Sequence, residues 1–262
     1  MDYKEINKAS WNKRTELHLD SEFYNNDAFI QGKTSLNAFE LDILGDLTGK
    51  KVLHLQCHFG QDTISLERLG AEVTGVDLSN VAIDNARKLA LKTNSNTTFI
   101  CSDIYDLPNH LNGQFDLIFT SYGTIGWLPD LDKWAHVLDT FLKPKGKFVI
   151  VEFHPAVWMF DDDFTTVKYS YFNTEPIVET NEGTYADKAS TETFKSVTWN
   201  HPISEVLTSL FAKNFRLDAL KEYDYSPYDC FAHTEEFEPG KFRIKHFGNR
   251  LPMVYSIEAT KD

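Results

Sequence analysis

The chain has 262 residues and a formal net charge of −13, from 26 basic and 39 acidic side chains. Its apolar fraction of 42% and aromatic fraction of 14% supply a full-sized core, which excludes a disordered chain. So acidic a surface repels polyphosphate and anionic lipid, so neither nucleic acid nor membrane is expected as partner, and a small molecule or another protein remains.

In chain order, residues 1–40 are polar and aromatic and read as helical in pieces. Lys51–Cys57 (KVLHLQC) is a short apolar run after a Gly-Lys-Lys turn and predicts a buried strand. Asp62–Leu69 sets Ile64, Leu66 and Leu69 on a short helix that Gly70 stops. Glu72–Val76 predicts a second strand leading into Asp77. Ser79 suits the N-cap of a helix over Asn80–Lys92, whose Val81, Ile83, Ala86, Leu89 and Ala90 share a face. Thr97–Cys101, Phe115–Thr120 and Lys147–Phe153 predict three more strands. Before the last of them, Asp130–Leu142 repeats Leu131, Trp134, Val137, Leu138 and Phe141 at helical spacing, and Lys143-Pro144-Lys145-Gly146 ends it.

This alternation predicts an α/β fold with a parallel sheet and right-handed crossovers. It breaks near His154. Residues 154–200 are rich in Thr, Tyr and Phe, and Val167–Phe172 and Thr193–Thr198 are the expected strands of a small antiparallel insertion. Pro202–Lys213 then predicts a helix, and Phe215–Tyr223 and Leu251–Thr260 predict strands. No repeat or linker divides the chain. A single domain over 1–262 is expected, with 1–40 as an N-terminal helical lid and 156–200 as a β-rich insertion. That insertion suits a lid or a homodimer contact equally.

No apolar run approaches the roughly 20 residues that cross a bilayer, and Met1-Asp2-Tyr3-Lys4-Glu5 lacks a signal-peptide core. Cys57, Cys101 and Cys230 are odd in number and widely spaced, which gives neither a disulfide framework nor a zinc pattern. A cytoplasmic address is expected. No metal is expected either: the His residues are scattered, and Asp161-Asp162-Asp163 reads as a solvated turn. His54, inside an apolar strand, reads as a structural imidazole.

Ligands of open α/β sheets bind beyond the carboxyl ends of the strands. The first such loop is His54-Leu55-Gln56-Cys57-His58-Phe59-Gly60, and the next strand ends in Asp77, an acid able to accept both hydroxyls of a ribose. With Cys101-Ser102-Asp103-Ile104, Phe115-Asp116-Leu117-Ile118, Gly126-Trp127-Leu128-Pro129-Asp130 and Leu142-Lys143-Pro144-Lys145-Gly146, this order of pieces resembles the class I S-adenosylmethionine-dependent methyltransferase family. The resemblance covers roughly residues 50 to 155 well.

It implies a Rossmann-like doubly wound, mostly parallel seven-stranded sheet with helices on both faces and an antiparallel C-terminal strand. It also implies S-adenosyl-L-methionine as cofactor. The implied contacts are Gln56, Cys57, His58, Gly60, Asp77, Leu78, Ser79, Ser102, Asp103, Ile104 and Ser121. Asp77 would take the ribose and Asp103 the adenine amino group. The family's acid and first two glycines are replaced by His54, Gln56 and His58, so the cofactor's methionine end is expected either to sit slightly farther out or to be contacted by the side chain of Gln56 or His58. The insertion and composition are similar to small-molecule methyltransferases. Trp11-Asn12, His18, Phe23-Tyr24 and the run His54–Thr63 resemble an uncharacterised bacterial subgroup.

Methyl transfer from a sulfonium is an in-line displacement that needs alignment, desolvation and, for a hydroxyl or amine acceptor, a proton acceptor. His154, directly after the fifth strand, is the candidate general base, with Glu152 nearby. Trp11, His18, Tyr24, Tyr122 and Trp127 are the candidate substrate contacts. Two other classes stay open. One is a non-catalytic nucleotide-binding or assembly protein that kept the fold. The other is a nicotinamide oxidoreductase, whose Gly-x-Gly-x-x-Gly pattern is absent from Gln56–Gln61.

Overall fold

A computed structural model describes residues 2–262. The chain opens with α1 (Tyr3–Leu19), α2 (Asn26–Ile30) and α3 (Ala38–Leu44), followed by β1 (Lys51–Leu55), α4 (Gln61–Arg68), β2 (Glu72–Asp77), α5 (Asn80–Thr93) and β3 (Thr98–Cys101). Next come β4 (Phe115–Ser121), α6 (Leu131–Phe141) and β5 (Leu142–Phe153). The last part holds β6 (Ile177–Glu182), β7 (Thr193–Thr198), α7 (Ile203–Phe211), β8 (Phe215–Tyr223), β9 (Thr234–Glu238), β10 (Lys241–Ile244) and β11 (Val254–Lys261).

Seven strands form one sheet in the order β3-β2-β1-β4-β5-β11-β8. Pairing is parallel from β3 to β5, and β11 runs antiparallel to both its neighbours. This is the Rossmann-like, doubly wound sheet expected of the sequence. The strand order reverses between β1 and β4, so their carboxyl ends open a crevice where ligands of such sheets sit.

The central strands β1, β4 and the second half of β5 are buried on both sides, as their apolar runs require. Alternation along β1 sends Leu53 and Leu55 to one face and Val52 and His54 to the other. On the first face they pack with Trp134, Leu138 and Phe141 of α6 and Val206 and Leu210 of α7. On the second, Val52 joins Phe39, Ile43 and Leu44 of α3. A third cluster joins Ile64 of α4 and Ile83, Ala86 and Leu89 of α5 to Phe59 and Phe99.

The N-terminal segment is helical in pieces, as its sequence predicts: α1, α2 and the start of α3. It begins with one continuous helix of 17 residues, capped by the Asp2 carboxylate, which accepts from Glu5 N. In the insertion Thr193–Thr198 is a strand, but its partner is Ile177–Glu182 and not Val167–Phe172, where Val167 makes only an isolated bridge to Phe160. The true strand, IVETNE, is mostly polar because this two-stranded ribbon buries little. The acid-rich hairpin β9–β10 escapes the apolar search for the same reason, and Gly240 at φ +71° makes its turn.

Inside β5, where its pairing with β4 is irregular between Leu142 and Lys147, Lys145 stands at φ +65°, where a glycine is the unstrained choice. Lys145→Gly removes a left-handed strain of about 1 kcal/mol and gives up only an exposed pair with Asp262, worth about 0–1 kcal/mol. The expected net is a small gain, on the order of 0.5 kcal/mol, after the extra freedom glycine gives the unfolded chain. Thermal melts at low and high salt check it. A large loss of stability would contradict the assignment of strain.

Candidate active site

A cavity of about 1230 Å³ opens over the carboxyl ends of β1 and β4. Its floor is the β1–α4 loop. Gln56 has φ +55°, His58 φ +50° and Gly60 φ +86°. The backbone therefore turns left-handed at alternate residues although two of them carry side chains, at a cost of roughly 1–2 kcal/mol each. Tertiary bonds hold the turn: Gln56 Nε2 donates to Thr124 O at 2.7 Å, and His58 N donates to Asp77 Oδ2 at 2.8 Å. Gly60 has no substitute, because a Cβ there would stand 2.6 Å from the Phe99 ring.

Asp77 lies half-buried at the end of β2 and also accepts from Ser79 N at 2.8 Å through Oδ1. Burial pushes its carboxyl up to about 6, against the pull of the Ser79 and His58 amides. Leu78, Ser102, Asp103 and Ile104 line the same wall. Asp103 caps the turn after β3 by accepting from Tyr105 N, and it pairs with Lys4 of α1 at 3.0 Å. Ser79 does not reach the cavity. It is fully buried as the N-cap of α5, and its hydroxyl donates to Asn12 Oδ1 at 2.7 Å. Cys57 lines the cavity, but burial raises its thiol well above the ordinary range, which leaves it an apolar filler.

The loop's side chains are committed in ways the sequence does not reveal. One N–H of the Gln56 amide donates to Thr124 O, and its buried Oε1 has no partner among the described residues. His58 Nε2 meets His18 Nδ1 at 3.0 Å, with both rings buried and desolvation holding both imidazoles neutral. Neither side chain carries a charge, so Gln56 and His58 have no charge-assisted bond to offer a carboxylate, while the buried His58 Nδ1 has no partner among the described residues. The orphan Oε1 is an acceptor and fits an ammonium. His54 is likewise neutral, pushed to about 3 by burial and bonded to Thr63 Oγ1 at 2.9 Å.

The aromatic candidates gather over this floor. Trp11 of α1 packs edge-on against His58 at 5.2 Å and Trp127 at 5.3 Å. Trp127 is fixed by Nε1 donating to Gly123 O. The hydroxyls of Tyr24 and Tyr185 lie 2.6 Å apart, joining the N-terminal segment to the insertion. Tyr122 lines the cavity at φ +48°, with its hydroxyl buried near the Glu40 carboxyl of α3. His18 stands behind this layer and does not line the cavity.

His154 is excluded as a base facing the cavity. Its Nε2 bonds Glu222 Oε1 at 2.9 Å, its Nδ1 accepts from Ala156 N at 3.0 Å, and it is absent from the lining. Glu152 is structural too. Its carboxylate accepts from the backbone N–H of Gly123, Thr124, Ile125 and Phe153 and from the Thr124 hydroxyl, which shapes the loop after β4.

Two residues absent from the sequence reading also line the cavity. Asp62, in the first turn of α4, accepts from Ser121 Oγ at 3.3 Å and has no cationic partner among the described residues; burial raises its carboxyl. The other is Arg14 of α1. The signal for Arg14 was its spacing, since residues 7, 11, 14 and 18 form one helical ridge. Asp62 sits only two positions beyond Gly60, inside the ligand loop's own helix.

Comparison with known proteins is consistent in kind. The family model described as a methyltransferase domain matches residues 52–146. An uncharacterized methyltransferase of Synechocystis sp. is 31% identical over 165 residues, covering 61% of this chain and 75% of the relative. A ubiquinone biosynthesis O-methyltransferase of Chromobacterium violaceum is 27% identical over 149 residues, or 56% of this chain, and the match spans 61% of that enzyme's length. Among solved structures, a putative S-adenosylmethionine-dependent methyltransferase from Listeria monocytogenes superposes with a TM-score of 0.58 at 20% identity, covering 84% of this chain and 95% of that one.

Proposed function

Because this chain belongs to the class I S-adenosylmethionine-dependent methyltransferases, we propose that its cavity seats the cofactor along β1, β2 and β3 and a small aromatic acceptor above it. The observation that carries this reading is the cavity itself. At about 1230 Å³ it exceeds the roughly 300–1,000 Å³ typical of a single ligand, and aromatic side chains line its upper part. The roof is closed by α1 and the insertion: Asn7 of α1 pairs with both Val197 N and Val197 O, and Tyr24 meets Tyr185. A roof of this kind suits a small molecule better than a protein side chain presented on a surface.

The residues fit the cofactor. Asp77 offers a ribose acceptor beside the loop, Asp103 an acceptor beyond β3, and the orphan Gln56 Oε1 an acceptor for the ammonium. When bound, S-adenosylmethionine supplies an electrophilic methyl group on a sulfonium. The chain's part is to align the acceptor, exclude water through the α1 roof, and take up a proton. With His154 committed elsewhere, Asp62 is the proton acceptor we assign. It borders Ser121 at the end of β4, and burial lifts its carboxyl toward the working range.

Similarity to the ubiquinone O-methyltransferases favours an oxygen nucleophile on the acceptor. Free thiols at Cys57, Cys101 and Cys230 support a cytoplasmic setting. No described helix is long and apolar enough to cross a membrane. The test is transfer of labelled methyl from S-adenosylmethionine to a panel of phenols and catechols, with protein and RNA substrates alongside. Label on a small phenolic compound is the expected result. Label only on protein or RNA would sink the small-molecule assignment.

A further inference from the structure

Three cations line the cavity: Arg14, Lys33 and Lys188. Lys33 is exposed, and Lys188 is tied to Asp229 and to Phe231 O, each at 3.2 Å. Arg14 is different. It is half-buried, its guanidinium lies 4.7 Å from the Phe194 ring and 5.9 Å from Trp11, and its Nε donates to Ser10 Oγ at 3.3 Å. No carboxylate among the described residues pairs with it. A guanidinium cannot discharge by losing its proton, so a desolvated one without a counterion is costly. The two aromatic faces offset only part of that cost. The arrangement calls for an anion in the cavity.

The path of α1 says which anion. Lys4 at its start reaches Asp103 beyond β3. Asn12 accepts from Ser79 Oγ and donates to Asn80 Oδ1 beside Asp77. Trp11 then covers His58 of the β1–α4 loop, and Arg14 follows on the same helical ridge. The helix thus tracks the wall from the adenine acid past the ribose acid to the loop and beyond, toward the amino-acid end of the seated cofactor. The loop itself has no charged donor to give a carboxylate there, since Gln56 is uncharged and burial keeps the His18–His58 pair neutral.

We propose that Arg14 seats the carboxylate of the cofactor's amino-acid end and thereby ties closure of α1 to cofactor binding. This rests on the cofactor seating given above. The planar fork of the guanidinium supplies the parallel N–H pair that the glycine-poor loop does not. Roof and cofactor then bind cooperatively, each stabilising the other in place.

The test is calorimetric titration with S-adenosylhomocysteine and with 5′-methylthioadenosine, which keeps the adenosine and lacks the amino-acid end. Arg14→Met is expected to weaken the first at least tenfold and leave the second within twofold. Arg14→Lys should fall between, because a point charge replaces a fork. Hydrogen exchange over residues 3–19 should slow more with S-adenosylhomocysteine than with 5′-methylthioadenosine in the wild type and equally in Arg14→Met. Equal losses for both ligands would overturn the proposal and make Arg14 a stacking support of the roof. No loss for either would overturn it in favour of an anion on the acceptor. A folded wild type that binds neither ligand would remove the cofactor seating on which it rests.

Discussion

Asp77→Ala is expected to weaken S-adenosylmethionine and S-adenosylhomocysteine alike, by about 1.5–3 kcal/mol or roughly 10- to 150-fold, through loss of a charge-assisted hydrogen bond. Because the ribose is common to both, 5′-methylthioadenosine should weaken as much, unlike in Arg14→Met. The change also strips the His58 and Ser79 amides of their acceptor, so the left-handed loop loses one of the bonds that hold it.

The same carboxyl gives a pH signature. Burial pushes it up to about 6, so it is ionised and accepting at pH 8 and gains a proton as pH falls through 6. Cofactor affinity should therefore fall on acidification through that window, and the Asp77-dependent part of the fall should vanish in Asp77→Ala. Unchanged affinity in that variant would mean that the ribose is held elsewhere.

The second large effect concerns stability. Glu152→Ala leaves the N–H groups of Gly123, Thr124, Ile125 and Phe153 without their acceptor in a buried loop. Orphaning several buried donors costs about 3–5 kcal/mol, even after credit for the lost desolvation of the carboxylate. The melting temperature should drop by about 10 °C. Glu152→Gln keeps the shape and one acceptor but turns an amide donor toward facing N–H groups, so a smaller loss of about 1–3 kcal/mol is expected. Equal melting temperatures for wild type and both variants would contradict the role given to this carboxylate.

The sheet was legible because parallel strands buried on both faces must be short apolar runs, and KVLHLQC, EVTGVD and KFVIVEF are such runs. The ribbon β6–β7 and the hairpin β9–β10 were not, because they bury too little to need an apolar pattern. In the β1–α4 loop, counting glycines misleads. Gln56 and His58 adopt the left-handed backbone anyway, held by Thr124 and Asp77, which are far apart in sequence.

His154 shows the opposite error. Its position after β5 is what a base would need, yet Glu222, 68 residues on, takes its Nε2. Arg14 belongs to none of the motifs in the sequence. Only the packing of α1 over the loop leaves it without a counterion inside a cavity.

The central claim is that a loop with one glycine left still holds the cofactor through Asp77. Titration calorimetry of folded wild type and Asp77→Ala with S-adenosylhomocysteine tests it most directly. The predicted result is one site per chain in the wild type, weakened at least tenfold in the variant. Absence of binding by the folded wild type would contradict the account.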